Sequence, residues 1–313
     1  MKMEVVSAEL FVDERIRIWK NRLEPEGGPA AGAGRASVVT GIHGDEIEGQ
    51  YVAFELARRI KEHPEHLAGT VDIYPAMNPL GVSTITRGVP LFDLDMNRVF
   101  PGCEDASLTE HLTRAMVDDI AGSTLAFDIH ASNIFLQELP QIRINEITAE
   151  RLVPLARRAG VDFVWVHSAA TVLQSTLAYS LNDIGVPCLV VEMGVGMRIT
   201  KEYGDALIDG IFSLLIDQGI WTGPRPTALK EPIVSTDGEV SFLNADAAGI
   251  FLPTAHHSNM VERGQELGII ADALTGEVNQ HVISPTDGLL FTLREYPVVT
   301  PGSLLARILG GLK

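Results

Sequence analysis

Cysteine is nearly absent from this chain. Its 313 residues include two, Cys103 and Cys188, with no Cys-x-x-Cys spacing. That argues against a disulfide framework and fits a reducing compartment. Positive charge is also scarce. The 24 Lys and Arg stand against 41 Asp and Glu, a formal net charge of −17. This balance argues against binding nucleic acid or an anionic membrane through a broad basic surface. Long apolar runs are missing too, since none approaches the ~18 residues of a membrane span. The start, Met1-Lys2-Met3-Glu4, lacks the basic-then-apolar pattern of a signal peptide. These absences predict a cytoplasmic protein. Hydrophobic residues still make up 46% of the chain, enough for a sizeable core in one large domain or two.

What is present alternates. Residues 4–19 read as one or two edge strands, and the Gly-rich stretch Gly27 to Gly34 as a loop. Ser37 to Ile42 is a short apolar strand. Ile47, Tyr51, Phe54 and Ile60 then recur at helical spacing. Thr70 to Met77 predicts a strand, and residues 78–105 a long irregular segment of the kind that usually carries function. Residues 107–121 predict a helix, with Ser107 and Glu110 placed for a capping box. Strands follow at Thr124 to Ile129, Val161 to Val166 and Val186 to Val191. Helices follow at 146–159, 176–184 and 201–219. The alternation predicts an α/β fold with a mixed, mostly parallel sheet flanked by helices.

Composition shifts near Thr222-Gly223-Pro224-Arg225-Pro226. Beyond it, short strands alternate with glycine turns and helical periodicity disappears. We therefore expect a domain at 1–224 and a small all-β domain at 225–313. Phrases such as Val261-Glu262-Arg263-Gly264-Gln265 resemble the lipoyl/biotinyl-like barrel-sandwich fold. The segment Asp272 to Gln280 has no lysine to modify, which leaves a structural or lid role.

In open α/β sheets, ligands bind outside the carboxyl ends of the strands. One strand exits into His43 and Glu46, a second into His130, and a third into Glu192. His43 and Glu46 alone fit either a helix N-terminal turn or a metal pair. Adding His130 gives the two-His, one-Glu set that leaves zinc a position for water. Asp128 is placed to orient an imidazole. Glu192 would serve as the non-ligand base, with pairing to Arg198 as its structural alternative. In so acidic a chain, Arg87, Arg98 and Arg143 near the same strand ends suggest carboxylate or oxyanion recognition. His63, His66, His256 and His257 read as surface residues, and Cys103 and Cys188 as non-catalytic.

The wording Gly41-x-His43-Gly44-x-Glu46, Asp95-x-Asn97-Arg98-x-Phe100-Pro101-Gly102, His130 and Glu192-x-Gly194 resembles zinc carboxypeptidase-like enzymes. Within them it looks like the succinylglutamate desuccinylase/aspartoacylase branch, through motifs spread over roughly residues 36–220. The resemblance implies a zinc carboxypeptidase-like fold and one Zn2+ per chain on His43, Glu46 and His130. It implies Glu192 as the base that activates water and Arg87 as the group that polarises the scissile carbonyl. Asn97 and Arg98 would hold a substrate carboxylate, with Gln141 and Arg143 bearing on substrate choice. The implied activity is hydrolysis of a small N-acylated amino compound. Ala131-Ser132-Asn133 departs from true aspartoacylases and succinylglutamate desuccinylases, which leaves the acyl group and the amine undefined. A metallocarboxypeptidase acting on short peptides is the alternative, and a homo-oligomer is compatible with the pattern.

Overall fold

The computed structural model describes residues 1–168, 174–227 and 229–311. Strands β1 (Lys2–Glu9) and β2 (Arg15–Leu23) form an antiparallel hairpin. Next come β3 (Arg35–Thr40), α1 (Glu48–Glu62), β4 (Thr70–Tyr74) and α2 (Pro79–Thr84). Then follow α3 (Leu108–Ile120), β5 (Leu125–Ser132), β6 (Leu136–Asn145), α4 (Ala149–Ala156) and β7 (Phe163–His167). Helix α5 (Leu177–Asp183), β8 (Cys188–Val195) and α6 (Lys201–Asp217) complete the alternation.

No α-helix follows α6 among the described residues. The strands there are β9 (Ile233–Thr236), β10 (Val240–Asn244), β11 (Gly249–Pro253), β12 (Met260–Val261) and β13 (Glu266–Ala271). They continue with β14 (Val278–Ile283), β15 (Gly288–Arg294), β16 (Val298–Val299) and β17 (Leu304–Leu309).

The main sheet is mixed and runs β1-β2-β4-β3-β5-β8-β6-β15-β17-β10, with β7 and β9 branching from β6. Its centre, β4-β3-β5-β8, is parallel. Successive residues of a strand face opposite sides, so each central strand feeds two cores. Val38 and Phe127 pack with Val52 and Leu56 of α1 and Leu207, Ile211 and Leu215 of α6. Val39 and Ala126 pack with Leu112 and Met116 of α3 and Leu177 and Leu181 of α5. The β-rich C-terminal region has its own core. Phe251, Leu267 and Ile270 of a second, four-stranded sheet pack against Leu290, Leu305 and Ile308. It joins the main sheet through β15, whose Thr292 pairs with Glu138 of β6.

The structure departs from the periodic reading in three places. Phe54 is 63% exposed, and α1 instead buries Val52, Ala53, Leu56 and Ile60. The segment 78–105 is not structureless: it holds α2 and a 3-10 turn at Met96–Arg98. Strand β6 is absent from the sequence-based reading. Its Pro140 falls where the register against β8 shifts between Glu138 and Gln141, which breaks the alternation that would have marked it. By contrast the capping box at Ser107 and Glu110 forms, both halves present.

One buried charge cluster ties β2 to β4. Lys20, 3% exposed, places Nζ 3.3 Å from Asp72 and 2.7 Å from Asp119. Arg22 lies 2.7 Å from the same Asp72, which is fully buried. Removing one partner of such a cluster strands the others without compensation. Asp72→Ala is therefore expected to cost about 3–5 kcal/mol in urea unfolding. A loss within error of zero would show that Asp119 alone suffices for Lys20.

Candidate metal centre and active site

The parallel register sets the site. Thr40 of β3 lies beside Ile129 of β5, and His130 lies beside Glu192 of β8. The carboxyl ends of three strands are therefore level. At the end of β3 the chain turns through Gly41, whose φ of +68° only glycine adopts without strain. Gly44 then passes so close to Gly81 that a Cβ would stand 1.9 Å from its carbonyl carbon. This contact seats α2 against the turn carrying His43, and the Gly44 amide donates to the Thr86 carbonyl at 3.0 Å.

Three ligand-capable side chains converge there. His43 Nδ1 is 2.8 Å from one Glu46 oxygen, and His130 Nδ1 is 2.9 Å from the other. All three residues are buried, and their donor atoms lie within 4.8 Å of one another. His43 Nδ1 makes no aligned hydrogen bond despite its burial. An unsatisfied buried ring nitrogen aimed at a carboxylate and a second imidazole suits a cation better than a proton. The two-His, one-Glu donor set also leaves a position for water.

Carboxylates back both imidazoles from behind. Asp95 accepts from His43 Nε2 at 3.0 Å, and the Asp128 carboxylate lies 3.1 Å from His130 Nε2. Burial opposes charge on the two rings. Glu46 with Asp95 at His43, and Asp128 with Glu46 at His130, outweigh it and raise both above their ordinary proton affinity. Burial alone would raise Glu46 as well, but the two imidazoles hold it well below the usual carboxylate range. The same negative field that attracts protons favours a divalent cation that displaces them.

Other residues named from the sequence line one cavity of about 460 Å³ with these ligands. They are Arg87, Asn97, Arg98, Arg143 and Glu192. Glu192 is raised in proton affinity by burial, with Arg143 acting against the rise. Arg143 Nη1 lies 3.4 Å from it. Arg87 spans Glu46 at 2.8 Å and Asp95 at 3.2 Å. Asn97 accepts the Leu177 amide at 3.0 Å and so anchors the start of α5. Arg98 donates to the Asn97 carbonyl and has no carboxylate partner among the described residues. Besides pairing with Arg87, Asp95 backs His43 and caps the Met96–Arg98 turn by accepting the Asn97 amide at 2.9 Å.

Sequence reasoning missed Glu138, a buried carboxylate of β6, and Arg307 of β17, both lining the same cavity. Only the pairing of β6 with β15 brings Arg307 near, and no local pattern signals that. Among the described residues, the other group that could hold a metal is His63, Glu65 and His66. His63 and Glu65 of that group are exposed. Cys188 is buried in β8, where burial raises its thiol well above the ordinary value, as suits a core residue.

Partners behind a ligating imidazole fix its orientation, and their loss typically weakens metal binding about 10–100-fold. Asp128→Asn is expected to weaken the affinity for a divalent metal within that range, read by competition with a chelating dye. Unchanged affinity would show that Asp128 does not support His130.

Residues 33–216 match the model of the succinylglutamate desuccinylase/aspartoacylase catalytic domain. The chain is 25% identical over 290 residues to an N-alpha-acetyl-L-2,4-diaminobutyric acid deacetylase of Halomonas elongata, covering 88% of this chain and 82% of that one. A succinylglutamate desuccinylase/aspartoacylase structure from Rhodobacter sphaeroides superposes with a TM-score of 0.80 at 22% identity, covering 98% of this chain and 95% of that one. The product-bound ectoine utilization protein of Ruegeria pomeroyi also gives 0.80, at 21% identity over 94% and 89% of the two chains. These two likenesses establish the zinc carboxypeptidase-like fold. With the family match spanning most of the α/β region, the chain belongs to the succinylglutamate desuccinylase/aspartoacylase family.

Proposed function

We propose that this protein is a zinc-dependent amidohydrolase that removes an acyl group from a small N-acylated amino compound carrying a carboxylate. One observation carries the reading. The buried donors of His43, Glu46 and His130 face one another in a cavity that also holds Glu192 and Arg98. The curated relative from Halomonas, a deacetylase of an acetylated diamino acid, supports the same reaction class.

Zinc held by His43, Glu46 and His130 would supply Lewis acidity toward a water and the acyl carbonyl. Glu192 takes a proton from the attacking water and returns it to the leaving amine. A carboxylate with raised proton affinity performs both transfers better than a surface glutamate. Arg87 supplies positive charge to the developing oxyanion. It reaches the site from the Glu46 side, where it already pairs. Asn97 and Arg98 hold the substrate carboxylate, since Arg98 has a guanidinium not engaged by any described carboxylate. Arg143 lines the cavity beside Glu192 and contributes to substrate choice.

On this reading, residues 1–224 form the catalytic domain and 225–313 a β-rich domain that closes one side of the cavity. A cytoplasmic location belongs to it as well, supported by the two unpaired cysteines. Among the described residues no helix is long and apolar enough to cross a membrane.

The test is a panel of N-acyl amino acids beside short peptides, assayed on zinc-loaded protein by release of carboxylic acid or free amine. Hydrolysis of N-acyl amino acids is expected. Hydrolysis of peptides alone would instead make the protein a metallocarboxypeptidase. Glu192→Gln is expected to keep its zinc while kcat falls about 10²–10⁴-fold. Unchanged turnover would remove Glu192 from the mechanism.

A further inference from the structure

Beyond the residues placed around the candidate metal site, the cavity wall holds a run of alternating charges that crosses from β8 to the C-terminal strands. Glu192 of β8 is 3.4 Å from Arg143 Nη1, and Arg143 Nη2 is 3.1 Å from Glu138 Oε1. The same Glu138 oxygen is 2.7 Å from Arg307 Nη1 of β17. Glu138 is fully buried, and it also accepts from Gln141 at 2.9 Å, Ser132 at 3.3 Å and Thr292. Both guanidiniums lie with Cζ 5.6 Å from the Trp165 ring, which restricts how they turn.

We propose that Arg307 is a positioning residue for the base Glu192, acting through Glu138 and Arg143. This rests on the deacylase reading for the role of Glu192. The physical argument is competition between two carboxylates for one guanidinium. Arg143 touches Glu138 more closely than it touches Glu192. Arg307 satisfies Glu138 from the other side, and so leaves Arg143 free to share itself with Glu192. Without Arg307, the buried Glu138 is undercompensated. Arg143 is then drawn fully onto Glu138, and Glu192 loses its lateral support. The C-terminal β-rich region thus contributes to the working geometry of a site whose other parts lie in the α/β region.

The test combines kinetics with a structure. Arg307→Gln is expected to lower kcat about tenfold or more, because misplacing a reacting group by an ångström has effects of that size or larger. KM is expected to change by less than kcat, because the substrate carboxylate is assigned to Asn97 and Arg98, outside this run of charges. Zinc content is expected to remain as in wild type. Arg307→Lys, which keeps a positive charge, should recover most of the loss. Arg307→Met keeps the packing on Trp165 and replaces the Gln variant if that does not fold. The double variant R143Q/R307Q should be no slower than R143Q, since one residue acts through the other.

A crystal structure of the Arg307 variant should show Arg143 withdrawn from Glu192. Full kcat in the neutral variants, additive losses in the double variant, or Arg143 still beside Glu192 would each overturn the proposal. If wild-type protein hydrolyses no N-acyl compound, the deacylase reading falls. The position of Arg143 in the variant structure still decides whether Arg307 holds it.

Discussion

Glu46 stands buried between two imidazoles, one oxygen 2.8 Å from His43 Nδ1 and the other 2.9 Å from His130 Nδ1. Two further carboxylates, Asp95 and Asp128, lie behind the rings. Three acidic groups around two imidazoles form an arrangement that wants positive charge. The surrounding architecture maintains it. Parallel strands keep His130 level with Glu192, Gly41 turns the chain at the end of β3, and the close approach of Gly44 to Gly81 brings α2 against the turn. Arg87 reaches in from the neighbouring loop and neutralises part of the field. A metal held there would complete what the guanidinium only begins.

The α/β region was largely legible because its signals are local. Apolar runs of strand length ended in His43, His130 and Glu192, and a capping box marked the start of α3. A parallel sheet brings strand ends together by construction, so the residues at those ends include much of the candidate site. The same logic explains the failures. Phe54 fits a helical period yet faces solvent, since hydrophobic spacing does not reveal which side a neighbour covers. Strand β6 escaped because Pro140 sits at a register shift and buried Glu138 and Gln141 occupy places where apolar residues would have signalled a strand.

Arg307 was illegible for a stronger reason. It reaches the cavity only because β17 pairs with β15 and β15 pairs with β6, the second pairing joining residues more than 150 positions apart. No spacing rule encodes them. The charge run from Glu192 to Arg307 crosses that junction, so the composition shift near residue 222 separates two styles of structure that share one cavity. The candidate metal ligands lie on elements that the family match covers, whereas Arg307 lies outside it.

One measurement addresses the proposed metal centre directly. A crystal of the zinc-loaded protein, measured on both sides of the zinc absorption edge, locates the ion by its anomalous scattering. The account predicts one strong peak per chain, bounded by His43 Nδ1, a Glu46 oxygen and His130 Nδ1, with Glu192 near it but not bound to it. A peak only at the surface group of His63, Glu65 and His66, or no peak in zinc-loaded protein, would contradict it.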